Sequence, residues 1–263
     1  MRVKDGFNNL LMTDPGPLVR LTGVGKRFGD GPAVLENIGF AAHPGDFVSF
    51  IGPSGCGKST ILRLVAGLTA PSAGEITVGG AASPAGVFLV FQDANLLPWR
   101  RVSANVELPL MLRGDSVSVR RERVREMLEL VGLRDAARKF PWQLSGGMKM
   151  RVSIARALSV SPRLLLLDEP FGALDEMTRN RLNEDLLAIR QKDPFTALFV
   201  THSVAEAIFL SNRIVILSPN PGRIAREIAV PFPYPRPPEL REAPEFLSLL
   251  AEASHALRSV LAP

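Results

Sequence analysis

The chain has 263 residues, of which 46% are hydrophobic and 22% charged, with a formal net charge of +5. This composition allows a large buried core and excludes disordered and disulfide-rich chains; the single cysteine, Cys56, suits a reducing compartment. No apolar run approaches the roughly 20 residues that cross a bilayer, and residues 1–5 lack the apolar stretch of a signal peptide. Any membrane role is therefore expected to come through a partner.

The first predicted elements are strands. Residues 1–17 are expected to form a flexible lead, and Val19–Phe28 and Val34–Phe40 then have the β-branched and aromatic composition of strands at a sheet edge. A further apolar strand, Val48–Ile51, runs directly into Gly-Pro-Ser-Gly-Cys-Gly-Lys-Ser-Thr. The strand therefore delivers a glycine-rich loop to one end of the predicted sheet.

That loop fits the pattern Gly-x-x-x-x-Gly-Lys-Ser. In this pattern glycines let backbone N–H groups face a phosphate, the lysine reaches the terminal phosphates, and the serine hydroxyl ligates magnesium. An ordinary glycine-rich turn needs neither the lysine nor the serine. Cys56 is either a small space-filling residue or a reactive thiol. The loop predicts a nucleoside triphosphate site made by Gly52, Pro53, Ser54, Gly55, Cys56, Gly57, Lys58, Ser59 and Thr60.

Helices and strands alternate after the loop, which predicts an α/β fold with a mostly parallel sheet covered on both faces. Helices are expected at Ser59–Leu68 and Glu176–Arg190. The remaining strands are expected at Glu75–Val78, Val87–Phe91, Leu164–Asp168, Ala197–Thr201 and Arg213–Leu217.

Residues 93–151 lack a strand pattern and are expected to form an inserted helical subdomain. Within Arg120–Val131, apolar residues recur at the spacing of one helical face. The arginines around this stretch alternate with acidic residues, as on a solvated helix, and no aromatic residues are interleaved in the manner of a nucleic-acid-binding surface. No nucleic-acid partner is expected.

The last part of the chain, residues 231–263, begins with a proline-rich segment that is expected to be a stiff extended linker. An amphipathic helix is predicted after it, with its apolar stripe either packed on the parent domain or used for a regulatory or dimer contact. The stripe consists of Phe246, Leu250, Ala253, Leu257 and Val260. No internal repeat is found, so one nucleotide-binding unit is expected.

Four short segments follow the phosphate loop in order: a strand ending at Gln92, Leu144-Ser145-Gly146-Gly147-Met148, Asp168-Glu169-Pro170 after an apolar strand, and a strand ending at His202. With the loop they resemble the ABC ATPase family, the nucleotide-binding subunits of ATP-binding cassette transporters. The resemblance runs from about Leu18 to about Ile228. It implies a P-loop NTPase (RecA-like) core over residues 18–230, with an antiparallel β edge and the helical subdomain inserted at about 93–151.

The resemblance also implies roles in ATP hydrolysis. Glu169 takes the place of the general base, His202 contacts the terminal phosphate, and Lys58 and Gln92 complete the catalytic set. Ser59, Gln92 and Asp168 would hold Mg²⁺, and Phe28 would stack on adenine where tyrosine is more usual. The alternatives are a capped turn at Asp168-Glu169-Pro170, a surface histidine, and an ordinary edge-strand aromatic at Phe28.

In this family two subunits pair head to tail, so that each signature closes over the ATP held by the other subunit. Ser145, Gly146 and Gly147 take the signature positions at a helix N-terminus, and Asp175 resembles a residue that crosses the interface. Met148 departs from the commonest glutamine, but the phosphate contacts come from the residues before it. A homodimer or a pair of different ATPase subunits is expected.

The segment Leu96-Leu97-Pro98-Trp99 predicts an exposed groove that receives a membrane permease, or alternatively a core segment. With Ser145–Ser153 and Ser218–Ile224, it resembles the importers for nitrate, sulfonate and taurine and their relatives for pyrimidine-type vitamin precursors. This implies a peripheral protein at the cytoplasmic face of the bacterial inner membrane, served indirectly by a solute-binding protein. The alternatives are an exporter subunit and a soluble ABC ATPase acting on nucleic acid or ribosomes.

Overall fold

The computed structural model describes residues 16–79 and 86–261, so residues 1–15 of the predicted lead lie outside the described part of the chain. Its strands are β1 (Val19–Arg27), β2 (Ala33–Ala42), β3 (Phe47–Ile51), β4 (Ala73–Val78), β5 (Val87–Val90), β6 (Leu164–Asp168), β7 (Thr196–Val200), β8 (Arg213–Leu217) and β9 (Ile224–Ala229). Its α-helices are α1 (Lys58–Val65), α2 (Val102–Arg113), α3 (Val117–Leu130), α4 (Gly146–Leu158), α5 (Glu176–Lys192), α6 (Val204–Leu210) and α7 (Pro244–Leu261).

The larger sheet has the strand order β5-β6-β7-β3-β8-β9, and all of its pairs are parallel except β8 with β9. Strands β3, β6 and β7 are buried along their whole length, which explains why they read as uninterrupted apolar runs. The predicted α/β fold with a mostly parallel sheet is confirmed. Because parallel strands end at the same edge, the segments that follow β3, β6 and β7 come together there.

The first strands form a separate sheet. β1 pairs antiparallel with both β2 and β4, in the order β2-β1-β4. The family resemblance implied an antiparallel edge, but composition did not indicate these partners, because alternation of apolar residues is local and does not specify a distant pairing partner. A parallel bridge between Leu35 and Gly222 connects this sheet to the chain after β8.

Helices α2, α3 and α4 occupy the segment between β5 and β6, and the described residues from 93 to 151 contain no strand. The apolar positions of α3, Val124, Met127 and Leu128, are buried as the helical spacing predicted. Ser116 caps the N-terminus of α3 by accepting a hydrogen bond from Val119 N. In the described part of the chain, no helix has both the length and the hydropathy to cross a membrane.

The proline-rich segment after β9 is packed on the domain and does not extend away from it. Arg236, with 6% of its surface exposed, donates to the carbonyl oxygens of Ile208, Phe209 and Ser211 at the end of α6. The Tyr234 hydroxyl donates to Leu210 O at 2.6 Å. Helix α7 follows and buries Phe246, Ala253 and Ala256 in the main core. Its stripe therefore packs on the parent domain, the first of the two alternatives.

Candidate nucleotide site

The phosphate loop connects β3 to α1 and curls around its own lysine. Gly57 caps α1 with φ 97°, a left-handed conformation that favours glycine, and a Cβ there would lie 2.4 Å from Leu35 Cδ2. Lys58 has only 4% of its surface exposed, and its Nζ donates to Gly52 O at 3.0 Å and Pro53 O at 2.8 Å. Ser54 and Gly55 form the exposed tip of the loop. The lysine therefore lies inside the loop, where a phosphate would replace its carbonyl partners.

A wall behind this loop comes from a residue that the sequence reasoning did not select. A Cβ on Gly222 would lie 2.0 Å from Cys56 O, so only glycine fits there without a backbone shift. Gly222 also donates to Val34 O at 2.9 Å and accepts from Glu36 N at 3.0 Å. The sequence signal that could have pointed to Gly222 was the segment Ser218–Ile224, which contains it and which was noted only for its family resemblance.

Cys56 is enclosed by the same wall. Its side chain is 1% exposed, and burial raises the pKa of its thiol despite the opposing charge of Lys58. A raised pKa lowers the thiolate population that a nucleophile needs. The structure therefore favours the space-filling role of Cys56 over the reactive one.

Two residues that were predicted to hold magnesium meet at the edge of the sheet. The Ser59 hydroxyl at the start of α1 donates to Asp168 Oδ1 at 2.7 Å, at the end of β6. A hydroxyl and a carboxylate are the oxygen ligands that a hard divalent cation takes, so this pair fits Mg²⁺. Among the described residues, no cluster of three or more His, Cys, Asp or Glu side chains forms a metal cage. A cation here would complete its shell with phosphate and water oxygens.

Glu169 and His202 form a short polar contact near that edge, with 2.6 Å between Glu169 Oε1 and His202 Nε2. Glu169 has φ 49°, a left-handed conformation that costs a non-glycine residue energy and that clusters at functional sites. Its N–H donates to Val200 O at 3.0 Å, and its carbonyl accepts from Gly172 N at 3.0 Å. The glutamate side chain is 18% exposed and the histidine side chain 49%.

Gln92 and Glu169 both lie close to Gly172. A Cβ built on Gly172 would be 3.6 Å from Gln92 Nε2 and 3.7 Å from Glu169 Cβ. The structure thus brings Gln92, Glu169 and His202 into one cluster, beside the pair of Ser59 and Asp168.

Phe28 lies in the turn between β1 and β2, and Leu35 of β2 touches the phosphate loop. The Phe28 ring is 52% exposed, and the Lys26 ammonium lies 4.8 Å from the ring centroid. The exposed ring is available to a planar group.

The signature residues form a second cluster. Ser145 caps α4 and accepts from Met148 N at 3.3 Å. A Cβ on Gly146 would lie 3.3 Å from Leu174 Cδ2, and one on Gly147 would lie 3.1 Å from Thr178 Cγ2, so the start of α4 packs closely on the start of α5.

Asp175 caps α5, and the hydrogen bonds from Thr178 lower the pKa of its carboxyl. Ser145, Gly146 and Asp175 all have solvent-accessible surface.

The backbone of the segment after Gln92 is fixed by hydrogen bonds to a residue that the sequence reasoning missed. Asn105 in α2 is fully buried; its side chain accepts from Leu97 N at 2.8 Å and donates to the carbonyl oxygens of Leu97, Arg100 and Arg101. Trp99 is consequently displayed with 70% of its surface exposed, while Leu96 packs against the core.

An apolar cavity of about 620 Å³ lies nearby, lined by Leu68, Val87, Leu89, Leu108, Leu112 and Arg156, among others.

Comparison with known proteins agrees with this geometry. The ABC transporter family model matches residues 35–172, just over half of the chain. The taurine import ATP-binding protein of Yersinia pestis bv. Antiqua is 46% identical over 82% of this chain and 85% of its own. The aliphatic sulfonates import ATP-binding protein of Bacillus cereus is 46% identical over 83% of this chain and 88% of its own.

Solved structures give the same result for the fold. The dimeric post-hydrolysis state of the ATP-binding cassette MJ0796, bound to ADP and Pi, has a TM-score of 0.70 and 33% sequence identity, covering 81% of this chain and 99% of that one. The chain therefore belongs to the ABC transporter family and is one of its nucleotide-binding ABC ATPase domains.

Proposed function

We propose that this chain binds ATP with Mg²⁺ and hydrolyses it to energise the import of a small sulfonate. The observation that carries the proposal is the contact of 2.6 Å between Glu169 and His202 beside the Ser59–Asp168 pair. A carboxylate held at hydrogen-bonding distance from an imidazole, next to a phosphate loop, is the arrangement that hydrolysis of a terminal phosphate needs.

In the proposed reaction each group has one task. Lys58 exchanges the carbonyl oxygens of Gly52 and Pro53 for the terminal phosphates, because charged oxygens are the stronger acceptors. Glu169 accepts a proton from the attacking water, and His202, which contacts the terminal phosphate in this proposal, keeps Glu169 oriented through its Nε2 atom. Gln92, which lies beside Gly172 as Glu169 does, orients the same water.

Mg²⁺, when bound, supplies positive charge to the phosphate oxygens. On the protein side, Ser59 and Asp168 provide a hydroxyl and a carboxylate that already face each other at 2.7 Å. Phe28 offers the face of an exposed ring to the adenine.

A second subunit is required by the proposed arrangement. The signature residues Gly146 and Gly147 pack on Leu174 and Thr178, whereas the phosphate loop contacts a different set, namely Leu35, Leu217 and Gly222. The two clusters thus have different neighbours within one chain, and the exposed N-terminus of α4 is suited to an anion brought by another molecule. The MJ0796 cassette, a structural relative, is dimeric. We propose a head-to-tail pair in which Asp175 lies at the interface.

The proposed permease contact consists of the exposed Trp99 and the apolar cavity that Asn95, earlier in the same segment, helps to line. An apolar cavity with an exposed aromatic near it suits a partner helix that presents apolar side chains. This docking would place the chain at the cytoplasmic face of the bacterial inner membrane, with a solute-binding protein reached only through the permease.

The solute class is inferred from the relatives that import taurine and aliphatic sulfonates, both of which carry a sulfonate group. Nitrate and pyrimidine precursors are the alternatives within the same branch. The subunit itself does not contact the solute in this proposal.

The test of hydrolysis is Glu169→Gln. We expect ATP binding to be retained, turnover to fall by a factor of roughly 100 or more because the base is lost, and ATP to shift the variant from monomer to dimer in size-exclusion chromatography. The matched control is Glu252→Gln, which removes a carboxylate from an exposed ion pair with Arg226 on β9. Turnover at the wild-type rate in Glu169→Gln would remove Glu169 from the role of base.

The test of the partners uses the same variant. Tagged Glu169→Gln, added with ATP to mildly solubilised membranes, is expected to recover a permease and a solute-binding protein. Sulfonates, nitrate and pyrimidines are then screened for binding to that solute-binding protein. Recovery of only ribosomes or nucleic acid would contradict the transport proposal and favour a soluble ABC ATPase.

A further inference from the structure

Glu206, in the first turn of α6, is a buried carboxyl group that the proposed reaction does not use. Only 5% of its surface is exposed. Burial raises its pKa to about 7, against the opposing effects of a hydrogen bond from Thr201 and the charges of Arg179 and Arg241. A buried carboxyl group is costly to keep, so its contacts are informative.

On one side of Glu206, a closed ring of hydrogen bonds joins Glu206 to Thr201 and Ser203, the two chain neighbours of His202. The Thr201 hydroxyl donates to Glu206 Oε2 and accepts from Ser203 N at 3.0 Å. Glu206 N in turn donates to Ser203 Oγ at 3.3 Å. Both chain neighbours of His202 are therefore held by Glu206, and Thr201 N is anchored to Phe50 O of β3 at 3.3 Å. Between these two fixed residues, the His202 side chain reaches Glu169.

The contacts on the other side lead to α5. Asn183, which is 1% exposed, and the positive charge of Arg179 both oppose the rise in the pKa of the Glu206 carboxyl group, whose Oε1 atom has no hydrogen-bond partner among the described residues. Arg179 also donates to Leu174 O at 2.8 Å, in the turn that precedes Asp175. Arg179 therefore bonds directly to the turn that packs on the signature glycines and acts on the Glu206 carboxyl group through its charge.

We propose that Glu206 is a positioning residue for His202, which it holds against Glu169 through Thr201 and Ser203 and connects to the Leu174–Asp175 turn through Arg179. The inference rests on the proposed function, in which Glu169 and His202 act on the terminal phosphate. It adds a residue that does not touch the nucleotide and that links the signature cluster to the hydrolytic pair within one subunit.

Two matched pairs of variants separate this role from simple packing. Glu206→Gln keeps an oxygen acceptor for the Thr201 hydroxyl, and Glu206→Met fills a similar volume without it. Thr201→Ser keeps the hydroxyl, and Thr201→Val removes it at nearly constant shape. Thermal unfolding of each variant shows which of them are folded at the assay temperature, and the Thr201 pair provides the test if Glu206→Met is not.

In steady-state ATPase assays we expect the two conservative changes, Glu206→Gln and Thr201→Ser, to stay within about twofold of the wild-type kcat. Glu206→Met and Thr201→Val are expected to lower kcat by roughly tenfold or more, with the Kd for ATP unchanged, because His202 is displaced without loss of nucleotide contacts. The double variant Thr201→Val/Glu206→Met should lose no more than the worse single variant. The proposal would be overturned if the loss of kcat in the double variant equalled the product of the two single losses. A folded Glu206→Met protein with wild-type kcat would also overturn it.

A spectroscopic measurement tests positioning without hydrolysis. The chain has three histidines, so the imidazole resonances are few and that of His202 is assigned by its loss in His202→Ala. We expect this resonance to shift in Glu206→Met and Thr201→Val but not in Glu206→Gln or Thr201→Ser. An unchanged resonance in the first two variants refutes the positioning role. If Glu169→Gln and His202→Ala hydrolyse ATP normally, the proposed function fails instead, while the resonance still reports on Glu206.

Discussion

The phosphate-loop region and the signature region differ in how far their polar groups are already paired. In the first, Lys58 is buried on two carbonyl oxygens, Ser59 meets Asp168 at 2.7 Å, and Glu169 meets His202 at 2.6 Å. In the second, Ser145 and Asp175 accept hydrogen bonds from residues of the helices that they cap, and both face solvent. One region is organised within the chain, and the other presents an open surface.

This difference indicates where binding energy has to be supplied. A preorganised site reorders little when its ligand binds, so most of the contact energy contributes to affinity. The exposed start of α4 is capped by the neutral Ser145 hydroxyl, and we expect it to bind an anion only when another molecule brings one. A single subunit should therefore bind nucleotide well and hydrolyse it poorly.

Removal of the central charge of the organised region has the largest expected effect. Lys58→Ala leaves the terminal phosphates without their buried ammonium group, so we expect ATP affinity and turnover to fall by a factor of roughly 100 or more. Isothermal titration with ATP measures the first quantity and a phosphate-release assay the second. Retention of both would show that the phosphates do not reach the interior of the loop.

The open region is tested by two serines with the same local role. Ser145 and Ser116 both cap an α-helix through their hydroxyl group, on α4 and α3 respectively. Alanine at either position should cost about 1 kcal/mol of stability. Only Ser145→Ala is expected to lower turnover, by roughly tenfold, and its ATP affinity as a monomer should be unchanged. Equal turnover in the two variants would mean that Ser145 only caps its helix.

The titration of Glu206, the residue proposed to link the two regions, is tested by measuring stability at two pH values. The pKa of Glu206 is about 7 in the folded chain against an ordinary value of 4.5, so the folded state holds its proton over this interval while the unfolded state releases it. The unfolding free energy of the wild type, compared with that of Glu206→Gln, should therefore fall by about 3 kcal/mol as the pH rises from 4.5 to above 7. Urea unfolding of both proteins at the two ends of this interval measures the loss. A constant difference between them would show that Glu206 does not titrate in this range.

The smallest effect is expected at the margin of the organised region. Phe28→Ala removes an exposed ring that is proposed to stack on adenine, so KM for ATP should rise by roughly fivefold, which corresponds to about 1 kcal/mol. Phe28→Tyr should restore the wild-type KM. Leu247→Ala is the control, because Leu247 is also about half exposed, at 51%, but lies on α7. A similar KM in Phe28→Ala and Leu247→Ala would leave Phe28 without a role in binding.

The organised region was the easier one to predict from sequence. The phosphate loop, Asp168-Glu169 and His202 follow apolar runs, and parallel pairing of β3, β6 and β7 brings the ends of those runs together. Composition also predicted most strands and the helical segment. The roles of individual residues came from family resemblance, and they stay predictions until the variants are measured.

The residues that sequence reasoning missed share a physical property. Gly222, Asn105, Glu206 and Arg236 act through contacts with chain segments or carbonyl groups that no local pattern reveals. A buried glutamate in a helical pattern has the same one-letter signal as an exposed one. The pairing within the antiparallel sheet was missed for a similar reason, since the composition of β1 does not name β2 and β4 as its partners.

Gly222 also determines when the nucleotide site is finished during synthesis. All residues of the phosphate loop precede Ile61, yet the wall behind Cys56 is built by a residue that lies far later in the chain, beyond β8. Because domains emerge from the ribosome progressively from the N-terminus, a nascent chain that stops before Gly222 carries the whole motif without its support. Among nascent chains of increasing length, we therefore expect nucleotide binding to begin only after Gly222 has emerged, late in translation.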